Sequence, residues 1–559
     1  MILQAMAPSA RRFLLPSLIV ALLAGLLYLP GLPGNFLFDD YPNIVNNPAI
    51  HLKEFSFGNL MQVISTPQPS GSLRNLPNLT FALDYWRGGA DPTTFKTTNI
   101  LIHALTAFAL VWFFRSLLLT IGTSQLRASW LAAAMALAWG AHPLLASSVL
   151  YVVQRLQTMG TLFIVLALLT YLQARRAQTA GRSGRTGLLG AALLWAMAMG
   201  CKEDAITLPA YTLALELTVL RFAAADTGLA LRIRRTYLFV LAAGAAAYVF
   251  VAIPHYWSWD AYPGRDFSSP ERLLTQARVL VIYLWQIAWP LPSHMPFFYD
   301  WLQPSRGLLQ PWTTLFSLTL ILGLLVLAWR QRSKFPLLAL GILLFFSAHF
   351  ITSNVVGLEL AYEHRNHFAL VGAVLAIGSI LSDACQRLRI PNGAQAALCS
   401  GLLLALAAAT LARAHSWSSN LLFAQASTTA APHSARAWIQ LCAEHYALGG
   451  GPTPQNTRLD AAIAACSSGS ALAPRSLNSP ALLLVLKTLS DDITKQDWIQ
   501  FRQRMRDADR TADNRRAIGL LTYNARRGVQ LDQQELLEVF AIQEQTIRLG
   551  PEELVSIGD

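Results

Sequence analysis

The stretch 11–41, RRFLLPSLIVALLAGLLYLPGLPGNFLFDDY, decides how the rest of the chain is read. Arg11 and Arg12 precede an apolar run from Phe13 to Leu29, long enough to cross the hydrocarbon core of a bilayer. The run does not end in the small residues of a cleavage site. It ends in Pro30, Gly31, Leu32, Pro33 and Gly34, so it is expected to remain as a signal anchor with its N-terminus in the cytoplasm. Two adjacent carboxylates, Asp39 and Asp40, then stand at the mouth of that helix.

Further along the chain the pattern repeats. Of 559 residues, 54% are hydrophobic and only 13% charged, a balance that excludes a soluble enzyme of this size. Apolar runs at 97–120, 128–147, 150–173, 187–201, 205–221, 236–254, 311–329, 335–352, 367–384 and 395–413 join 13–30 as expected spanning helices. The net charge of +12 resides mainly in short-loop arginines: Arg175, Arg176, Arg182 and Arg185; Arg232, Arg234 and Arg235; Arg330 and Arg332 with Lys334; Arg387 and Arg389. Such clusters are retained on the cytoplasmic side, so they read as topology and not as nucleic-acid binding. Keeping all of them inside requires segment 273–291 to be re-entrant, with Pro290 and Pro292 as its break. The expectation is an all-α polytopic bundle of about eleven spans plus that one re-entrant segment.

This count puts loop 31–96 and everything after about residue 413 on the outer side, in the periplasm if the membrane is a bacterial inner (cytoplasmic) membrane. Residues 1–413 are then a membrane domain, and 414–559 a small soluble helical domain. There Trp438, Leu441, Cys442 and His445, followed by Ala462, Cys466, Gly469 and Pro474, fall on the positions of a tetratricopeptide-like hairpin. Facing helices in an oxidising compartment would let Cys442 and Cys466 pair. The five cysteines form no CxxC motif.

Ionisable residues at membrane-embedded turns are costly and mark function, and here they gather on the outer side. Of Asp39 and Asp40, one carboxylate can act as general base on a hydroxyl while its neighbour orients the loop or holds a divalent cation; a solvated turn is the competing reading. Arg155, Lys202 and Arg365 are candidate contacts for a lipid-linked phosphate, where cations stabilise the charge left as a sugar departs. Snorkelling of Lys202 and pairing of Arg365 with Glu363 are the plain alternatives. Arg74, His142, Glu203, Glu363 and His364 are supporting candidates, His142 as a cap before Pro143.

The order of FLFDDYPNIVNNPAI (36–50), SLRNLPNLTFALDYW (72–86), NILIHAL (99–105), HPLLASSVLYVVQR (142–155), KEDAITLP (202–209), IYLWQIAWPLP (282–292) with YDW (299–301), and ITSNVVGLELAYEHRNH (351–367) resembles a known family. It looks like the transmembrane O-mannosyltransferases with tetratricopeptide repeats and their bacterial relatives, of the C-type (GT-C) glycosyltransferase superfamily. The resemblance covers roughly residues 13–385. It implies inverting transfer of a sugar from a polyprenyl-phosphate carrier to a hydroxyl on the non-cytoplasmic face. Asp39 or Asp40 matches the catalytic carboxylate, and Lys202 and Arg365 fall where donor phosphate is bound, with Glu203 and Glu363 as neighbours. The chain departs from the family at Ser147, where a Glu is common, and in its few C-terminal repeats.

The resulting expectation is a membrane glycosyltransferase acting on Ser or Thr of an exported protein such as a pilin. No cofactor is required by the sequence, and a divalent metal is left open. Transfer to a lipid or surface polysaccharide is the enzymatic alternative. A lipid-linked-sugar flippase is the alternative of another class, disfavoured because neither inverted repeats nor mid-membrane breaks are visible. A scaffold would not need so many polar outer turns.

Overall fold

A computed structural model describes residues 8–66, 74–509 and 511–546, with side chains from residue 13 to residue 544. The side chains of Arg11 and Arg12, which carry the expected cytoplasmic N-terminus, lie outside the described residues. The protein is a polytopic helical membrane protein: 74% of it is helix, and no strand occurs among the described residues. It folds as two compact units. One comprises residues 1–257, 276–295 and 308–419; the other comprises 258–275, 296–307 and 420–559.

The first unit holds the membrane helices. Seven helices among the described residues are long and apolar enough to cross a bilayer, and eight if the bent pair Gln125–Gly140 with Pro143–Leu150 is one span. The other expected spans are met by shorter pieces. Arg185–Met199 and Pro336–His349 have 15 and 14 residues. The 205–221 run is broken into a 3-10 turn, an α-helix and a π-helix (Glu203–Thr207, Leu208–Leu215, Glu216–Leu220). Most of segment 273–291 lies on an uninterrupted helix, Ser269–Ala288, whose Glu271, Arg272 and Arg278 keep it out of the seven. Pro290 and Pro292 follow that helix and stop it, so the break lies at its end.

Five helices position the site, and we label them α1 (Pro8–Leu26), α2 (Pro92–Thr120), α3 (Gln125–Gly140), α4 (Arg155–Thr179) and α5 (Asn366–Arg387). Helix α2 starts where it does because Asp91 accepts the Thr93 and Thr94 amides at 3.2 and 3.0 Å, with Pro92 in the first turn. Just after α1, the buried Tyr28 hydroxyl donates to the Gly140 carbonyl at the end of α3 at 3.1 Å. Helix Pro336–His349 crosses α5 at Gly341 and Gly372, where a Cβ on either would strike the other's backbone carbonyl. Small residues permit this backbone approach, which is how membrane helices gain dispersion energy without a hydrophobic driving force.

The second unit packs helices around Leu441, Leu482, Val485, Trp498, Phe501 and Leu521. A disulfide joins Cys442 on helix Ala435–Leu448 to Cys466 on helix Leu459–Leu472, with Cα atoms 5.3 Å apart.

Candidate functional site

The loop after α1 is held by backbone carbonyls of its glycines. Lys96, on the first turns of α2 and 1% exposed, donates to the carbonyls of Gly31 and Gly34 at 3.0 and 2.8 Å. Gly34 must be glycine, because a Cβ there would collide with the Trp417 carbonyl and the Lys96 ammonium. Phe38 takes a positive φ of 39°, a strained conformation for a residue with a side chain. That kink sends the two following carboxylates in opposite directions.

Asp40 turns inward. Its oxygens accept the Leu37 amide at 3.0 Å and the Val153 amide at 2.7 Å, and it is 1% exposed at the start of the π-helical turn Tyr41–Val45. Burial raises its pKa to about 7, opposed by those two amides and by Lys96. Two backbone amides, one on each oxygen, thus hold the Asp40 carboxylate in place. Among the described residues no three carboxylate, histidine or cysteine side chains gather to hold a metal.

Asp39 turns outward. Its side chain is exposed and makes no hydrogen bond or ion pair among the described residues. The backbone fixes it: its amide donates to the Tyr151 hydroxyl at 2.8 Å, and its carbonyl accepts the Asn43 side chain at 2.8 Å. Tyr151, before α4, is packed edge-on to Phe38 at 6.4 Å. Burial, then the charges of Asp40 and Asp39, push the Tyr151 phenol above its ordinary range, so it stays protonated.

Two arginines from separate parts of the chain, Arg74 and Arg365, lie near enough to Lys202 for their charges to act on it. Lys202 donates to the Gln157 amide oxygen at 2.6 Å and is 4.0 Å from Asp204. Burial pulls its ammonium below the usual lysine range; Asp204 opposes this, while the positive charges of Arg74 and Arg365 add to it. Arg74 is bidentate to Glu203 at 3.0 and 3.3 Å. Arg365 donates to the Leu360 and Glu359 carbonyls at 3.1 and 2.9 Å and lies 5.4 Å over the Tyr362 ring. Tyr362 also stacks on His364 at 5.0 Å.

Two sequence candidates are engaged elsewhere. Arg155 is fully buried, pairs with Asp84 at 2.5 Å, and donates to Asn99, Thr80 and the Phe95 carbonyl at 2.7, 3.2 and 2.8 Å. It also lies 4.5 Å over Phe81. Glu363 does not pair with Arg365: both its oxygens accept Arg413 at 2.6 Å, within a buried pair. His142 acts as a clamp. Its Nδ1 accepts the Leu144 amide at 3.2 Å, so Nε2 carries the proton and donates to the Ile287 carbonyl at 3.3 Å.

Sequence reasoning missed Tyr151, Lys96, Asp84, Arg413 and Tyr283. Tyr283 takes the Tyr362 amide at 2.8 Å and returns its hydroxyl to the Tyr362 carbonyl at 2.9 Å, which holds the loop carrying Arg365. The available signals were Lys96 and Asp84, charged residues inside otherwise apolar or amphipathic helices.

Fold and site together define a polytopic helical membrane protein with an exposed carboxylate and a cation cluster at loop-bearing helix ends. Over 171 residues, 29% of this chain, the sequence is 32% identical to Protein O-mannosyl-transferase TMTC1 of Homo sapiens, which supports a distant relationship to that protein. The chain spans about a fifth of that relative's length, 19%. No family model matches the chain. No solved structure matches it either.

Proposed function

We propose that this chain is a GT-C-type membrane glycosyltransferase that moves a sugar from a polyprenyl-phosphate donor to a Ser or Thr hydroxyl of an exported protein. The observation that carries the reading is the grouping of Arg74, Lys202 and Arg365 against only two carboxylates, Glu203 and Asp204, which leaves a net positive charge there for an anion to meet. A donor phosphate is such an anion. Asp39 removes the acceptor hydroxyl proton, the oxygen attacks the anomeric carbon from the face opposite the phosphate, and the bond from that carbon to phosphate oxygen breaks. The cations hold the charge on the departing polyprenyl phosphate. Tyr151 positions the Asp39 backbone, and Asp40, Arg155 and Glu363 position the loops; none of these three has a free face for the donor. The Cys442–Cys466 disulfide supports an oxidising, non-cytoplasmic compartment for the unit that contains it.

The test is transfer of labelled sugar from polyprenyl-phosphate donors into the protein fraction of membranes with purified wild-type and Asp39→Asn enzyme. Removing the base while keeping size is expected to cut turnover about 100-fold. Label appearing in lipid or polysaccharide would overturn the acceptor assignment. Near-normal turnover of Asp39→Asn would remove Asp39 from the chemistry.

A further inference from the structure

At the other end of the first unit, the end with Lys334 and Arg387, a cavity of about 600 Å³ opens between the C-terminal ends of α2 and α5 and the start of α3. Its wall is apolar at Leu131 and Phe335 and basic at Arg127, Lys334 and Arg387. Arg387 is paired with Asp383 at 2.7 Å, which neutralises it. Among the described residues neither Arg127 nor Lys334 pairs with a carboxylate; Arg127 donates to the Ser382 hydroxyl at 3.1 Å. One turn of α3 also presents Leu126 and Trp130, 73% and 70% exposed, beside Arg127. An exposed tryptophan flanked by apolar and basic residues marks the membrane–water interface. A groove at that depth with two uncompensated cations and an apolar wall complements one kind of molecule.

We propose that this cavity binds an anionic diacyl phospholipid, its phosphate on Arg127 and Lys334 and an acyl chain along Leu131 and Phe335. Basic pockets between membrane helices select anionic headgroups in this way, and each cation near the surface is worth roughly fivefold in affinity. The site is independent of the proposed transfer chemistry and stands whether or not Asp39 is the base.

The experiment is native mass spectrometry of the full chain released from nanodiscs holding phosphatidylglycerol and phosphatidylcholine in equal amounts. Wild-type protein should retain phosphatidylglycerol severalfold over phosphatidylcholine, Arg332→Gln should keep that preference, and Arg127→Gln with Lys334→Gln should abolish it. If the double variant does not fold, Lys334→Gln alone, at an exposed position, should reduce the preference about fivefold. Equal retention of both lipids by the wild type, or full preference in the folded variants, would overturn the proposal. So would displacement of the lipid by inorganic phosphate at millimolar level, which would make the site one for a free anion.

Discussion

Arg155 and Arg365 both stand at the start of a membrane helix, and both follow motif residues, yet their surroundings differ. Arg155 is fully buried, with a carboxylate, a side-chain amide, a hydroxyl, a carbonyl and two aromatic rings around its guanidinium. Arg365 is held by two carbonyls, the Tyr362 ring and the Tyr283 hydroxyl but by no carboxylate, and shares its field with Lys202, whose nearest carboxylate is 4.0 Å away. A desolvated cation is stable only when its whole donor set is satisfied, so a complete shell marks a structural hub. An incomplete shell among like charges marks a place where a ligand anion supplies the remainder.

The largest effect that tests this contrast is removal of the Arg155 partner. Asp84→Ala leaves a buried guanidinium without its carboxylate and should destabilise the fold by about 3–5 kcal/mol, read as loss of folded protein in detergent. An Asp84→Ala protein that is normally stable and defective only in donor binding would erase the distinction and return Arg155 to the phosphate site. A smaller effect is expected on the other side. Lys202→Gln should leave the protein folded and weaken donor binding about tenfold or more, the scale of a hydrogen bond to a charged group. Unchanged donor affinity would make Lys202 a partner of Gln157 alone.

The smallest expected effect concerns pH. An unfolded aspartate titrates near about 3.9, whereas burial raises Asp40 to about 7 in the fold. Between those values the folded state holds the proton more tightly, so the contribution of this group is complete below the lower value and is lost as pH rises through the upper one. Wild-type protein should therefore lose roughly 2–4 °C of unfolding midpoint between pH 5 and 8 that Asp40→Asn does not lose. An equal pH slope in both proteins would show that Asp40 titrates as an ordinary aspartate, and its inward geometry would need another explanation.

Much of the fold was legible in the sequence. Apolar runs such as 97–120 and 395–413 appear as single long helices, because backbone groups in hydrocarbon must be satisfied within the segment and only a helix does so locally. The 205–221 run was less legible, since Pro209 and the turn at Glu203 break it into pieces that composition averages over. The expected re-entrant segment depended on counting loops, whereas Glu271, Arg272 and Arg278 on Ser269–Ala288 were the local features that set that helix apart. The candidate site was legible as a set of residues, Asp39, Asp40, Lys202 and Arg365, but not as a set of roles.

The sequence by itself determined that the chain spans a bilayer, where its helices run, and which turns carry charge, because length and hydropathy of a run are local properties. Only the tertiary structure decided which member of the Asp pair faces outward, which arginine pairs with a buried carboxylate, and that Glu363 belongs to Arg413. Each of these turns on a hydrogen bond between residues far apart in the chain: Val153 to Asp40, Asn99 to Arg155, Arg413 to Glu363. Burial makes such partners obligatory, and only the packed fold determines which distant groups are near enough to serve.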